Sequence, residues 1–81
     1  MVNIKATQHF ESRLTKLDNT VKIQIDKVIT KIAQNPTLGK PMHYERKDTR
    51  EVYVGSFRLA YTYEINIDTI TFLEIYHKDE Q

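Results

Sequence analysis

The chain has 81 residues, of which 40% are hydrophobic and 28% are charged, and its formal net charge is +1. This length provides one domain with a single core, and the near-zero charge excludes a general polyanion binder, so any nucleic-acid contact must come from a local patch. The absence of cysteine excludes disulfides and indicates the reducing cytoplasm. Because no apolar run has the pattern of a secretion signal or a membrane span, we expect one cytoplasmic domain, residues 1–81.

The first half of the chain predicts a short strand followed by two helices. The strand is expected at residues 2–6. An apolar stripe at helical spacing follows, made of Phe10, Leu14 and Leu17. Asp18 begins a cluster of capping residues that predicts the start of a second, strongly amphipathic helix. That helix should end at the Asn-Pro pair of positions 35–36, because the residue before a proline avoids the α region. We expect the two helices to form a hairpin laid on a sheet.

Residues 50–64 predict a β-hairpin. Two alternating runs flank Gly55 and Ser56, a pair suited to a tight turn. In the second run one parity is apolar and aromatic, and its members are Phe57, Leu59, Tyr61 and Tyr63. The other parity carries Arg58, which strand alternation places on the face away from the core. An unpaired, buried guanidinium is costly, so Arg58 is expected to be paired, solvent-facing or bound to an anion.

Residues 69–76 predict the last strand, and His77 and Lys78 follow it directly. The element order is therefore β-α-α-β-β-β. We predict an α+β fold in which the helical hairpin packs on a small antiparallel sheet of three or four strands. The start of one strand and the end of its antiparallel partner can be neighbours. Arg58, His77 and Lys78 are thus expected to converge if those two strands pair.

A second group of candidate residues lies in the predicted loop at positions 37–49 and on the strands that follow it. Basic side chains in such a loop can collect phosphates, although a solvated loop explains the same composition. The candidate RNA-contacting residues are Lys40, Arg46, Lys47, Arg50 and Tyr76. The histidines lie on three separate elements without metal-ligand spacing, so we predict neither a metal site nor a cofactor.

The cationic set suits cleavage of RNA without a metal. The 2′-hydroxyl must lose a proton, the phosphorane needs positive charge, and the leaving 5′-oxygen needs a proton. Arg58 can stabilise charge but cannot act as a base, His77 is the best proton-transfer candidate, and Lys78 can hold the phosphate. The alternative interpretations are a surface histidine and a salt bridge from Arg58 to Glu51 or Glu74.

The segments REVYVGSFRLAYTYE and ITFLEIYHKDEQ resemble the RelE/ParE superfamily of toxins from type II toxin–antitoxin modules. The resemblance extends upstream through the helical hairpin and the GKPM loop. It implies a small β-sheet toxin with a helical hairpin on one face, a cognate antitoxin as partner and no small-molecule cofactor. RelE-like members cut mRNA in the ribosomal A site, and ParE-like members inhibit DNA gyrase.

The resemblance also implies roles for single residues. In the RelE-like branch, the arginine after the hairpin aromatic is catalytic and matches Arg58. A basic residue at the end of the last strand matches His77 or Lys78, and one early in the preceding strand matches Arg50. The favoured function is a metal-independent endonuclease acting on ribosome-bound mRNA, with the general base and acid left open. The alternatives are a ParE-like gyrase inhibitor and an inactive toxin-fold protein that only binds antitoxin.

Overall fold

The computed structural model of the chain describes residues 2–42 and 48–80. Two α-helices pack on a five-stranded sheet in this part of the chain. The elements are β1 (Asn3–Ala6), α1 (Gln8–Thr15), α2 (Asn19–Gln34), β2 (Lys40–Pro41), β3 (Thr49–Val54), β4 (Phe57–Glu64) and β5 (Thr69–His77). Single turns of 3₁₀ helix span Ile65–Ile67 and Lys78–Glu80. The predicted α+β class and the succession of one strand, two helices and then strands are confirmed, with the short strand β2 as an element that was not predicted.

Both α-helices begin at side-chain caps. The Thr7 hydroxyl accepts a hydrogen bond from the Phe10 amide at 3.0 Å, and the Asp18 carboxylate accepts one from the Val21 amide at 3.0 Å, so each satisfies an orphan donor of the first turn. α2 ends before Asn35, as the Asn-Pro pair predicted. In the described part of the chain, neither helix combines the length and the apolarity needed to cross a membrane.

The sheet is larger than predicted and is mixed. Its order is β1-β5-β4-β3-β2, with β1 parallel to β5 and every other pair antiparallel. The chain enters β1 before the two helices and returns to β5 much later, so no hairpin turn sets the direction of this pair. β2 has two residues, too few for an alternating pattern to show in the sequence.

The helices cover one face of the sheet, which we call the helix face. Its buried core comprises Phe10, Ile25, Ile32, Val54, Leu59, Tyr61, Ile70, Phe72 and Ile75. The ring centroids of Phe10 and Phe72 are 5.3 Å apart, and those of Tyr61 and Phe72 are 5.8 Å apart. The apolar parity of β4 therefore faces the helices as predicted, and Arg58 points to the opposite surface, which we call the open face.

A β-bulge in β5 decides which of its side chains share the face of Arg58. Ala60 pairs with Glu74 whereas Tyr61 pairs with Phe72, so Leu73 is the extra residue. An extra residue shifts the alternation of a strand by one. For this reason Phe72 and Ile75 both face the core although they are three positions apart. After the bulge, Tyr76 faces the open side and His77 faces the helix side.

Candidate functional site

The candidate site lies at the end of the sheet that carries the hairpin turn between β3 and β4. Gly55 adopts a positive φ of 60°, which glycine reaches without steric cost and which tight hairpin turns require. Tyr53 pairs with Arg58 across the hairpin. The amide of Lys78 donates a hydrogen bond of 2.8 Å to the Ser56 carbonyl, so the residues after β5 are tied to the turn.

Arg58 lies over an aromatic ring on the open face. Its guanidinium carbon is 3.8 Å from the centroid of the Tyr53 ring, a cation–π contact, and its Nη1 donates a hydrogen bond of 3.2 Å to the Phe57 carbonyl. Within the described part of the chain, neither Glu51 nor Glu74 forms an ion pair with this guanidinium. The positive charge of Arg58 therefore has no acidic partner among the described residues.

Glu51 and Tyr76 form a hydrogen-bonded pair beside Arg58. The Tyr76 hydroxyl donates a short hydrogen bond to Oε2 of Glu51, although β4 lies between their two strands. Ala60 pairs with Glu51 in the register and is completely buried. A methyl group at this position leaves room for the Tyr76 phenol to cross β4, and the crossing side chains in turn cover the alanine.

Lys40 completes the open-face group. It pairs with Glu51 in the register of β2 and β3, and its Nζ is 5.8 Å from the centroid of the Tyr53 ring. A depression of about 290 Å³ opens here, and its lining is Lys40, Pro41, Met42, Glu51 and Tyr53. Tyr53 is 56% exposed, so the depression presents an accessible aromatic side chain together with the ammonium group of Lys40 and the carboxylate of Glu51.

Arg50, a predicted RNA-contacting residue, lies elsewhere. It pairs with Tyr61 on the helix face, so it points away from Arg58. Its Nη1 donates hydrogen bonds to the Gly39 carbonyl at 2.7 Å and to the Thr37 carbonyl at 3.2 Å. Arg50 therefore stabilises the loop before β2.

Tyr61 holds the same loop from inside the core. Its hydroxyl donates a hydrogen bond to the Pro36 carbonyl at 2.8 Å and accepts one from the Gly39 amide at 2.9 Å. Burial raises the pKa of the Tyr61 phenol above its ordinary 10.0, while the Gly39 hydrogen bond and the charge of Arg50 oppose that shift to a smaller extent. The phenol thus stays protonated as a donor, and the loop that it holds leads directly into Lys40.

His77 does not meet Arg58. It pairs with Phe57, and the two rings are in edge contact with centroids 5.3 Å apart. Since Phe57 packs against the core, the imidazole leaves the sheet on the helix face. Its Nδ1 accepts a hydrogen bond from the Asp79 amide at 3.2 Å and lies 3.4 Å from Asp79 Oδ2. The predicted convergence was wrong for this residue, because the bulge in β5 shifts the alternation.

The structure thus brings together part of the predicted site. Lys40, Arg58 and Tyr76 share the open face, and Lys78 is exposed just beyond the end of β5. Arg46 and Lys47 lie outside the described residues. In the part of the chain that the structure describes, no three potential metal ligands cluster. Sequence reasoning left Glu51 and Tyr53 out of the site, although their alternation on β3 gives them the parity that faces Arg58.

The sequence matches one protein family over nearly its whole length. Residues 4–81 match the family described as the ParE toxin of type II toxin–antitoxin system, parDE. A comparison with curated protein sequences gives no significant match.

Solved structures of toxins share the fold. The RelBE2 toxin–antitoxin complex from Mycobacterium tuberculosis matches with a TM-score of 0.84 and 22% identity, covering 94% of this chain and 96% of that chain. The intact RelBE toxin–antitoxin complex from E. coli matches with a TM-score of 0.83 and 15% identity, covering 95% and 96%. The YoeB/ParE toxin from Agrobacterium tumefaciens matches with a TM-score of 0.84 and 11% identity, covering 94% and 98%. At these identities the matches show a common fold.

Proposed function

Because this chain belongs to the ParE toxin family of type II toxin–antitoxin systems, we propose that it is an endoribonuclease that cleaves mRNA on the ribosome and is neutralised by a cognate antitoxin. The observation that carries the proposal is the placement of Arg58. Its guanidinium lies 3.8 Å from the Tyr53 ring on the face that the helices leave open. A fixed cation beside an exposed aromatic ring is suited to a phosphate and its neighbouring base.

The chemistry of the open face supports RNA as the substrate. Arginine is protonated at every physiological pH, so Arg58 can stabilise the negative charge that builds up on the phosphorus oxygens. Lys40 also lies near the Tyr53 ring, where it can neutralise an adjoining phosphate. Single-stranded RNA exposes bases that stack on tyrosine rings. In this proposal Lys78 contacts the RNA backbone from the end of β5. The imidazole of His77 lies on the opposite face of the sheet, so it contacts RNA only if the RNA extends past the end of the sheet that carries the hairpin turn.

Two further lines support the ribosome and the antitoxin. The resemblance of the hairpin and last strand to the RelE-like branch favours cleavage in the ribosomal A site. The structural match to the RelBE complex of E. coli, a toxin bound to its antitoxin, favours an antitoxin partner for this chain. The open face is then the surface that the antitoxin must cover or distort to prevent cleavage.

The proposal is tested by mapping mRNA 5′ ends in a cell-free translation reaction supplied with purified protein. Wild-type protein should produce cuts at fixed codon positions, and Arg58→Ala should lower the cleavage rate by about 10²- to 10³-fold because the charge on the transition state loses its counterion. Lys27→Ala is the matched control, since it removes one exposed cation from α2, far from the open face. Cleavage by Arg58→Ala at the wild-type rate would rule out the proposed site.

Inhibition of DNA gyrase is the second candidate function, and one structural observation favours it. His77 and Arg58 lie on opposite faces, and a protein that only binds gyrase has no need of an imidazole beside the arginine. Purified gyrase assayed for supercoiling separates the two. Intact mRNA together with inhibited supercoiling would replace the nuclease proposal, and inactivity in both assays would indicate a toxin fold that only binds antitoxin.

A further inference from the structure

We infer that Glu51 is the proton acceptor of the proposed cleavage and that Tyr76 is the residue that orients its carboxylate. This inference rests on the proposed RNA cleavage. Among the predicted catalytic residues, His77 faces the helix side, and Arg58 and Lys78 belong to residue types that are ordinarily already protonated at neutral pH and are therefore poor proton acceptors. The open face must therefore supply its base from another residue if it cleaves RNA, and Glu51 has the position for it.

Glu51 shares the open face with the cation that would hold the phosphate. It pairs with Ala60 across the hairpin, while Arg58 is two residues before Ala60 on the same face. Such diagonal neighbours on adjacent strands are within reach of long side chains. Glu51 also lines the depression of about 290 Å³ together with Lys40 and Tyr53. A ribonucleotide bound in this depression would contact the carboxylate of Glu51, with the Arg58 guanidinium next to it on the Tyr53 ring.

The contact with Tyr76 leaves part of the carboxylate available. The phenol donates to Oε2, and within the described residues no other group hydrogen-bonds Glu51. The second oxygen, Oε1, is therefore able to accept a proton from a substrate. Ala60, which pairs with Glu51, is completely buried. A carboxylate held at one oxygen and available at the other is suited to general base catalysis.

The chemical step balances without a metal or a redox partner. Oε1 of Glu51 takes the proton of the ribose 2′-hydroxyl, and the 2′-oxygen forms a bond to the adjacent phosphorus. The bond from phosphorus to the 5′-oxygen breaks, and the departing oxygen takes a proton from water. The products are a 2′,3′-cyclic phosphate and a 5′-hydroxyl end. Glu51 then releases its proton to solvent, while Arg58 offsets the charge on the phosphorane throughout.

The first test compares Glu51→Gln with wild-type protein in single-turnover cleavage of a ribosome–mRNA complex. Glutamine keeps the shape and can still accept the Tyr76 hydrogen bond through its amide oxygen, but it cannot serve as the base. We expect the cleavage rate to fall by about 10²-fold or more, with unchanged binding to the complex. Glu64→Gln is the matched control, because this exposed carboxylate lies at the far end of β4, and it should cleave at the wild-type rate.

A second variant distinguishes the loss of the proton acceptor from a folding defect. Glu51→Ala leaves a space beside Ala60, and added formate should restore part of its cleavage rate, because a small carboxylate can occupy that space and take the proton. Formate should leave Arg58→Ala inactive. A Glu51→Gln cleavage rate equal to that of wild-type protein would overturn the role of Glu51. If Arg58→Ala still lost cleavage in that case, the proposed nuclease activity would stand. Absence of cleavage by wild-type protein would overturn both.

The orienting role of Tyr76 has its own readout. Tyr76→Phe should lower the saturated cleavage rate and leave the half-saturating ribosome concentration unchanged, because the phenol acts through the base. In a Glu51→Gln background the same change should have no further effect, since groups that act as a unit are not additive. An equal loss in both backgrounds would show that Tyr76 supports the fold and does not orient Glu51.

Discussion

Two arginines of one hairpin show how the two faces of this sheet differ. Arg50 on β3 lies on the helix face and donates hydrogen bonds to the Thr37 and Gly39 carbonyls. Arg58 on β4 lies on the open face against the Tyr53 ring, and no carboxylate among the described side chains pairs with it. The same residue type therefore stabilises a loop on one face and remains available to an anion on the other. The pleat of the strand decides between these two uses.

The tyrosines divide in the same way. Tyr61 is completely buried, and its hydroxyl is engaged by two backbone groups of the loop before β2. Tyr53 is 56% exposed, and Tyr76 donates its hydrogen bond to a carboxylate. On the helix face, the Tyr61 hydroxyl is satisfied by backbone groups and contributes to stability. On the open face, the polar atoms belong to side chains that a ligand can reach.

The largest expected effect on stability comes from the centre of the helix face. Phe72→Ala should lower the free energy of unfolding by about 3–5 kcal/mol, because the change leaves a cavity between Phe10 and Tyr61. Tyr53→Ala on the open face should cost at most about 1 kcal/mol, which is the value of an exposed cation–π contact. Urea unfolding of both variants tests the difference. Equal losses would mean that the open face is part of the core.

Tyr61→Phe should have an intermediate effect. It removes the donor to Pro36 and leaves the Gly39 amide without its acceptor, at a cost of about 2 kcal/mol. The pKa of Tyr61 is raised in the folded state, so the folded protein binds this proton more tightly than the unfolded chain. Its contribution is complete below about pH 10 and is lost as the pH rises through the folded value. The stability difference between wild-type protein and the variant should therefore shrink at alkaline pH.

Unfolding curves collected from neutral pH to above pH 10 test this expectation. Tyr53→Phe is the control, since it removes an exposed hydroxyl that takes part in no described hydrogen bond, and it should leave the curves unchanged. A difference between Tyr61→Phe and wild-type protein that stayed constant across this range would contradict a stabilising proton on Tyr61.

The smallest expected effect separates the two arginines. Arg50→Ala should lower the free energy of unfolding by about 1.5 kcal/mol, because the Gly39 carbonyl loses a charged donor. Arg58→Ala should stay within about 0.5 kcal/mol of wild-type protein, although it removes the proposed activity. Thermal unfolding of the two variants in one buffer provides the measurement. A greater loss from Arg58→Ala would show that the open-face arginine is structural.

Much of the fold could be predicted because its signals are local. The cap at Asp18, the Asn-Pro end of α2 and the Gly55 turn each depend on a few neighbouring residues. The apolar parity of β4 likewise predicted which face Arg58 would take. The direction of β1 and the two-residue strand β2 were missed, because both depend on a partner that is distant in the sequence.

The candidate site was predicted less completely than the fold, and β5 shows why. Its run ITFLEIY is apolar at five of seven positions, and the adjacent pairs of apolar residues break the alternation that would indicate which residues face the core. The bulge at Leu73 shifts the parity between Phe72 and Glu74. That shift brings Tyr76, and not His77, to the side of Arg58. Glu51 entered the site for the same reason, because its partner Tyr76 reaches it across a strand.

The sequence by itself determined the class of the fold, the helical hairpin, the β-hairpin and the face of the sheet that Arg58 takes, since each follows from spacing along a short stretch of chain. Only the tertiary structure decided which side chains surround that arginine. Strand pairing and the bulge in β5 bring together Lys40, Glu51, Tyr53 and Tyr76 from three strands. Such a set depends on register between strands, and a one-residue shift of register moves every side chain of a strand to the other face.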